Sequence, residues 1–312
     1  VVVCAYTEDR WDDITDSLQS LRAQTVPPAQ VLLVADHNDA LAERARAAFP
    51  DVDVLANSGP RGLSGARNTG VAAATGEVVA FLDDDAAAEP DWLELLLAPY
   101  ADPLVAGVGG SARPRFDVPP PGWLAEEFHW VIGCSYRGQP DHIAEVRNFI
   151  GANMSFRRPI FATAGPFTDG IGRVGTRPVG CEETEFCIRV RRAVPDARLL
   201  YVPGAAVRHR VTAGRLTARY YLNRCWSEGL SKALVARAVG SEAALASERT
   251  YATRTLPAAV LRALREGRAA RAGAIVVGLA VTAVGYAWGR AAGSPASASP
   301  APADAGDVTS AA

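Results

Sequence analysis

Apolar runs alternate with amphipathic stretches through the first two hundred residues. Val1–Ala5 is a β-branched apolar run. Residues 11–23 set Ile14, Leu18 and Leu21 at helical spacing behind early acids, and Pro27 and Pro28 close that unit. Val31–Ala35 has no polar position, which predicts a strand covered on both faces, and it stops at Asp36. A helix is predicted over Ala40–Phe49 and a short strand over Val52–Ala56. The Gly-rich stretch NSGPRGLSG follows, with Ser64 as the expected cap of a helix from about Ala66 to Ala74. Val78–Leu82 predicts a third strong strand, which ends in Asp83, Asp84 and Asp85. This alternation predicts an α/β fold, a Rossmann-like and mostly parallel sheet with helices on both faces. Ligands of such sheets bind beyond the carboxyl ends of the strands, so Asp36 and the aspartate triplet are expected on one rim.

The middle of the chain is less regular. Residues 113–123 read as a Pro-rich loop, 146–158 as strand, turn and strand, and 165–181 as a mobile Gly-rich loop. Glu182–Ala193 predicts an acid-headed helix, and Leu199–Val207 a strand that ends near His209. From about Thr212 the chain turns to Ala- and Arg-rich helices. Residues 273–289 are almost uncharged, yet shorter than the roughly 20 residues that cross a bilayer. The basic stretch before them could lie on an anionic surface, so this segment is expected to be buried against the rest or seated at a membrane interface rather than to span. The tail from Ala291 is rich in Ala, Ser, Pro and Gly and is expected to be disordered. Three parts follow: an α/β domain over 1–210, a helical region over 211–290 and a tail over 291–312.

Composition narrows the classes. The 312 residues are 49% hydrophobic and 21% charged, which is globular. The net charge of -2 lacks the basic excess of a nucleic-acid binder. Lys232 is the sole lysine, which reads as coding bias. Five cysteines at wide spacing, with no CxxC, predict neither a disulfide framework nor a zinc site and fit a reducing cytosol. No signal peptide precedes the first strand, and an opening at Val1 inside a strand-like run predicts missing native residues.

Four features could carry chemistry. Three carboxylates at a strand end repel one another, so the triplet is either a divalent-cation site, through Asp83 and Asp85 on alternate positions, or a solvated turn. Gly59, Gly62, Gly65 and Gly70 around Arg67 and Asn68 form either a phosphate cradle or an ordinary turn; no Walker motif and no GxGxxG is present. Among Glu182, Glu183 and Glu185 one could be a general base, or all could simply complement a helix dipole. His209 is either a structural histidine or a nitrogen ligand of the same metal.

Taken together, VVVCAYTED, VLLVADHND, GLSGARNTGVAAATGEVVAFLDDDAAAEPDWLE, FIGANMSFRR, CEETEFCIRV and VRHRV resemble, in order and spacing, the inverting glycosyltransferases of family 2 over roughly residues 1–210. The resemblance implies a GT-A catalytic domain. It implies that Ala5, Tyr6, Thr7 and Glu8 cradle the nucleotide, that Asp36 contacts a base, usually uracil, and that Arg67 and Asn68 lie against the diphosphate. Asp83 falls on the ribose side and Asp85 on a Mg²⁺ or Mn²⁺ ion, with Asp84 between them on the donor. Asn153 would meet the donor sugar and acceptor, and His209 would be a further metal ligand. The usual acidic pair is Glu-Asp, whereas here it is Glu182-Glu183, with Glu183 as the implied base. The Gly-rich stretch 165–180 would close over the donor. The implied partners are a nucleotide sugar and a glycan or polyprenyl-linked acceptor. The implied place is the cytoplasm, with a peripheral seat at the inner face of the cell membrane. Two rival classes are a nucleotidyltransferase, against which the loop AYTEDRWDD argues, and a catalytically silent sugar-nucleotide or glycan-binding module.

Overall fold

Neighbouring residues of the central strands feed opposite cores. Val3, Leu33 and Leu82 pack with Ile14, Leu18 and Leu41 on one side of the sheet. Val2, Leu32 and Phe81 pack with Phe156, Phe161 and Phe186 on the other. That is why these runs carry no polar positions. The structure, a computed structural model, describes residues 1–170, 180–240, 248 and 250–292. The tail expected from Ala291 is helical at that first residue, and its part from residue 293, like the centre of the expected mobile loop, 171–179, lies outside the described residues.

The strands are β1 (Val2–Ala5), β2 (Leu32–Ala35), β3 (Asp53–Ala56), β4 (Val78–Asp83), β5 (Ala86–Ala88), β6 (Val105–Phe116), β7 (Ala144–Glu145), β8 (Asn153–Arg157) and β9 (Arg198–Val211). The helices are α1 (Trp11–Arg22), α2 (Asp39–Ala48), α3 (Leu63–Ala73), α4 (Trp92–Leu97), α5 (Ile160–Thr163), α6 (Glu182–Ala193), α7 (Ala218–Val239), α8 (Leu256–Arg265) and α9 (Ala269–Ala291). The sheet order is β3-β2-β1-β4-β8-β6-β9-β5, with β7 also on β9. The half from β3 to β4 is parallel, as the alternation predicts. Beyond it, β8 runs antiparallel between β4 and β6, and β5 runs antiparallel on β9. The sheet is therefore α/β with a parallel half and a mixed half.

Two local expectations are corrected. Ser64 does not cap α3. The helix starts at Leu63, about three residues earlier than expected, after Gly62, whose φ of 129° suits glycine and not serine. No strand forms over 146–150. Phe149 turns inward and fills the space over Gly107 and Gly109 of β6, which pulls the segment off the sheet edge. The pairing there falls instead on Ala144–Glu145 against β9.

A third core joins the C-terminal helices to the sheet. Phe128, Val131, Val211, Tyr221, Leu256 and Ile275 meet in it. α7 and α9 lie close along a glycine seam. A Cβ on Gly229 would come 2.6 Å from the Tyr286 backbone nitrogen, and one on Gly285 would come 2.6 Å from the Trp226 carbonyl oxygen. Residues 273–289 are thus part of a longer helix packed against α7 and long and apolar enough to cross a membrane, although only 22% of its most apolar window is buried.

Candidate active site

The carboxyl ends of β1, β2 and β4 open into a cavity of about 690 Å³, lined by Ala5, Tyr6, Asp36, Asp83 and Asp84 on one side and by Glu182 and Glu183 on the other. Register explains the rim. Cys4 of β1 pairs with Asp83 of β4, so the end of one strand flanks the other. The β5–β9 pairing sets Ala86 against His209, and the Arg210 amide donates to the Asp85 carbonyl at 2.8 Å. A residue over a hundred positions away is thereby brought beside the aspartate triplet.

The ligand atoms of Asp83, Asp85 and His209 all lie within 4.8 Å of one another. Asp85 is 3.1 Å from His209 Nε2, 2.7 Å from Arg215 and 3.3 Å from Arg10. Burial alone would raise its pKa, but the His209 imidazolium and the two guanidiniums hold it well below the usual carboxylate range. Asp84 accepts from Arg10 at 2.9 Å through one oxygen, while its Oδ2 is buried with no hydrogen-bond partner among the described residues. Burial, with Asp85 and Asp83 adding repulsion against the pull of Arg10, pushes Asp84 up to about 7. Two carboxylates and an imidazole, next to an orphaned carboxylate oxygen, fit a hard divalent cation. The three metal positions expected from sequence are brought together.

Arg67 has protein partners of its own. It is 2% exposed and lies beside the Phe81 and Phe167 rings, 5.8 and 5.6 Å from their centroids. It donates to Glu182 Oε1 at 2.8 Å and to the Gly151 carbonyl at 2.9 Å, and lies 3.6 Å from Asp83. Its guanidinium braces two carboxylates of the site while it also lines the cavity. Glu182 is correspondingly spoken for. Glu183, next in the chain, has no ion-pair partner among the described residues and takes only the Thr184 hydroxyl, at 3.1 Å. Burial, and then the charge of Glu182, raise its pKa to about 8. α6 carries this turn, with Phe186, Cys187 and Val190 anchored in the core.

Other expected contacts part company. Ala5, Tyr6 and Asp36 line the cavity. Asp36 accepts from Asn57 at 2.6 Å and from the Gly62 amide at 2.9 Å, so it also braces the Gly-rich loop. Thr7 caps the short turn that follows β1, and Glu8 pairs with Arg44 at 3.6 Å; neither lines the cavity. Asn68 brackets both the amide and the carbonyl of Phe167. Asn153 is fully buried, accepts from Trp92 Nε1 at 2.8 Å and donates to the carbonyls of Ser111 and Ala205. Asn153 has both amide hydrogens and its carbonyl engaged by protein, and Asn68 spends its carbonyl and one amide hydrogen on Phe167, so both brace the fold. Sequence reasoning missed Arg10 and Arg215, which hold the triplet, and a charged group of Arg147, Arg224, Glu228, Lys232 and Glu248 at the far end of the cavity.

The family description Glycosyl transferase family 2 matches residues 1–165. The glucosyl-dolichyl phosphate glucuronosyltransferase of Haloferax volcanii is 36% identical over 236 residues, which are 74% of this chain and 75% of that protein. The succinoglycan biosynthesis protein ExoM of Rhizobium meliloti is 28% identical over 237 residues, 73% of this chain and 71% of that one. Among solved structures, a mannosyltransferase of Pyrobaculum calidifontis in complex with GDP-Man and Mn²⁺ aligns over 92% of this chain and 86% of its own, with a TM-score of 0.55 at 18% identity. GalNAc-T7 with UDP, GalNAc and Mn²⁺ aligns over 73% of this chain with a TM-score of 0.51, also at 18% identity, and this chain spans only 47% of its length. At such identities these two likenesses speak for a shared GT-A fold.

Proposed function

As a member of glycosyl transferase family 2 the chain is a glycosyltransferase, and we propose that it moves a sugar, with inversion, from a nucleoside-diphosphate donor to a hydroxyl of a lipid-linked glycan. One observation carries this reading: Asp83 and His209, with Asp85 in ligand reach of both, line the same cavity as the Glu183 carboxylate, and Arg67 links Asp83 to the neighbouring Glu182. The donor lies across the ends of β1 and β4, with Tyr6 and Asp36 at its base, which we read as uracil. Asp83, Asp85 and His209 would hold a Mg²⁺ or Mn²⁺ ion, whose chemistry is to neutralise charge on the departing diphosphate. Glu183 takes the proton of the acceptor hydroxyl, whose oxygen forms a bond to the anomeric carbon as the bond from that carbon to the diphosphate oxygen breaks. The nucleoside diphosphate carries away the electron pair. Attack from the face opposite the leaving group inverts the anomeric centre. Arg67 engages Glu182 in an ion pair, which leaves the neighbouring carboxylate to the acceptor.

The acceptor reading rests on the relative from Haloferax volcanii, named for a dolichyl-phosphate substrate, and on the outer face of α9. Val276, Val277, Val284 and Trp288 are all about half exposed or more on that helix. α7, packed along α9, carries Arg224, Glu228 and Lys232, which would be costly inside a bilayer. We therefore read α9 as lying in the membrane interface at the cytoplasmic face, and the chain as a peripheral protein with no nucleic-acid partner. The five cysteines are unpaired, which suits a reducing compartment.

Product analysis tests the reaction class. Release of nucleoside diphosphate, with a product of inverted anomeric configuration by proton NMR, supports it. Release of pyrophosphate would make the chain a nucleotidyltransferase and overturn it. Asp85→Ala should abolish both transfer and its dependence on added Mn²⁺.

A further inference from the structure

The helix that carries Glu183 begins on a strained residue. Cys181, the N-cap of α6, makes no side-chain capping bond and is left-handed, with a φ of 75°. Among the described residues His37 and Cys181 alone of the non-glycines have positive φ. A residue with a Cβ keeps that conformation only where its surroundings fix it. Here the surroundings are α7. The Gly180 amide donates to Ser231 Oγ at 3.1 Å, and the Cys181 thiol lies 3.7 and 3.8 Å from the two oxygens of Glu228. Glu228 and Ser231 are three residues apart, so they share one face of α7. Ser231 is set in turn by the Ser227 carbonyl at 2.9 Å, and Glu228 by Lys232, one turn on, at 3.0 Å. Further along, Ile188 of α6 packs with Val235 and Ala236 of α7. Glu183 follows Cys181 by two residues. Among the described residues its carboxylate takes only the Thr184 hydroxyl, so the backbone of this turn sets its direction.

Glu228 also shares the cavity wall with Glu183. Burial would raise the pKa of Glu228, but Lys232 and Arg224 hold it below the ordinary glutamate value, so it is ionised. Burial, and then the charge of Glu228, push Cys181 well up, so it stays a thiol and can donate. The charges that bear most on Glu183 are Glu182 beside it, Arg67 of α3 and Glu228 of α7, with the Cys181 and Cys187 thiols near it on its own helix. We infer that Glu228 is a positioning residue for Glu183: its grip on Cys181 fixes the turn that aims the base, and its carboxylate adds negative charge to the wall the base shares. The inference rests on the reading of Glu183 as general base given above.

Two substrate-free measurements on the full chain separate position from charge. One is the titration of the Glu183 carboxyl by carbon-13 NMR, assigned through Glu183→Gln. The other is amide exchange in residues 182–185. Lys232 also donates to Glu248 at 2.6 Å, so changing Glu228 does not strand it. Glu228→Gln keeps an acceptor for the Cys181 thiol and removes the charge. It should leave exchange unchanged and lower the proton affinity of Glu183 by about three-fold or more, because a like charge is gone. Glu228→Ala removes the acceptor as well, and should speed exchange in residues 182–185 by about ten-fold while α7 stays within about two-fold of wild type. An unchanged Glu183 titration in Glu228→Gln, or unchanged exchange in Glu228→Ala, overturns the inference. So does exchange that rises throughout α7, since Glu228 would then merely hold its own helix. Neither measurement involves catalysis, so failure here leaves the base reading standing. Wild-type turnover in Glu183→Gln would instead overturn the base reading, and this role with it.

Discussion

At the scale of single residues, the proposed chemistry turns on Glu183 and Arg67. Glu183 must be ionised to take a proton, and its pKa is raised to about 8. The kcat/KM of the free enzyme should therefore climb with pH and level off above about 8; a profile flat from pH 6 to 9 would remove Glu183 as base. Stability should move the other way. The folded chain keeps a proton on Glu183 between the ordinary value of 4.5 and about 8, where the unfolded chain has lost it. The native state thus binds more protons in that window, and stability falls as pH rises through it. Glu183→Gln should be more thermostable than wild type at pH 8, with the gap closing toward pH 4.5 in melting curves. Arg67 is tested by removal. Arg67→Met strands the buried Glu182 and removes the cation beside Asp83, and should cost about 3–5 kcal/mol in denaturant unfolding, part of it recovered by Arg67→Met/Glu182→Leu. Residue identity alone made the acidic triplet and the glutamate pair legible. The roles of Arg67, Asn68 and Asn153 were not, because a polar side chain looks the same in sequence whether it faces a ligand or a buried carbonyl.

At the scale of elements, short-range periodicity carried most of the reading. β1, β2 and β4, and the helices between them, follow from apolar runs and helical spacing, and α6 falls where its acids and apolar face put it. The elements that depend on distant partners were harder. The failed strand over 146–150 turns on the bareness of Gly107 and Gly109, forty residues upstream. The neighbourhood of His209 turns on the antiparallel pairing of β5 with β9, and no local pattern encodes that. The packing of α9 on α7 is likewise a matter of fit along a glycine seam. Gly229→Leu should force the two helices apart, lower stability by about 1–3 kcal/mol and speed amide exchange in α9; unchanged exchange would place the helix elsewhere.

At the scale of the whole molecule, the proposed function requires the two ends of one cavity to face different phases. The sheet rim holds the groups suited to a water-soluble nucleotide, and the wall of α9 presents apolar side chains with Arg262, Arg265 and Arg268 close by in the chain. Wild-type protein should float with vesicles of anionic phospholipid and release in high salt, whereas Val277→Asp/Val284→Asp should stay in solution and still turn over a short-chain acceptor. The sole lysine was visible in the sequence as an oddity of composition, yet its meaning depends on α7 folding back onto the start of α6. Such assembly of remote segments is what a linear reading misses most.

One experiment bears most directly on the division of labour between donor site and base: donor affinity of Glu183→Gln with Mn²⁺ by calorimetry, set against its turnover in the same preparation. A dissociation constant within about two-fold of wild type, with turnover reduced about 100-fold or more, is expected of a general base that plays no part in donor binding. Wild-type turnover, or a loss of donor binding that matches the loss of rate, would contradict it.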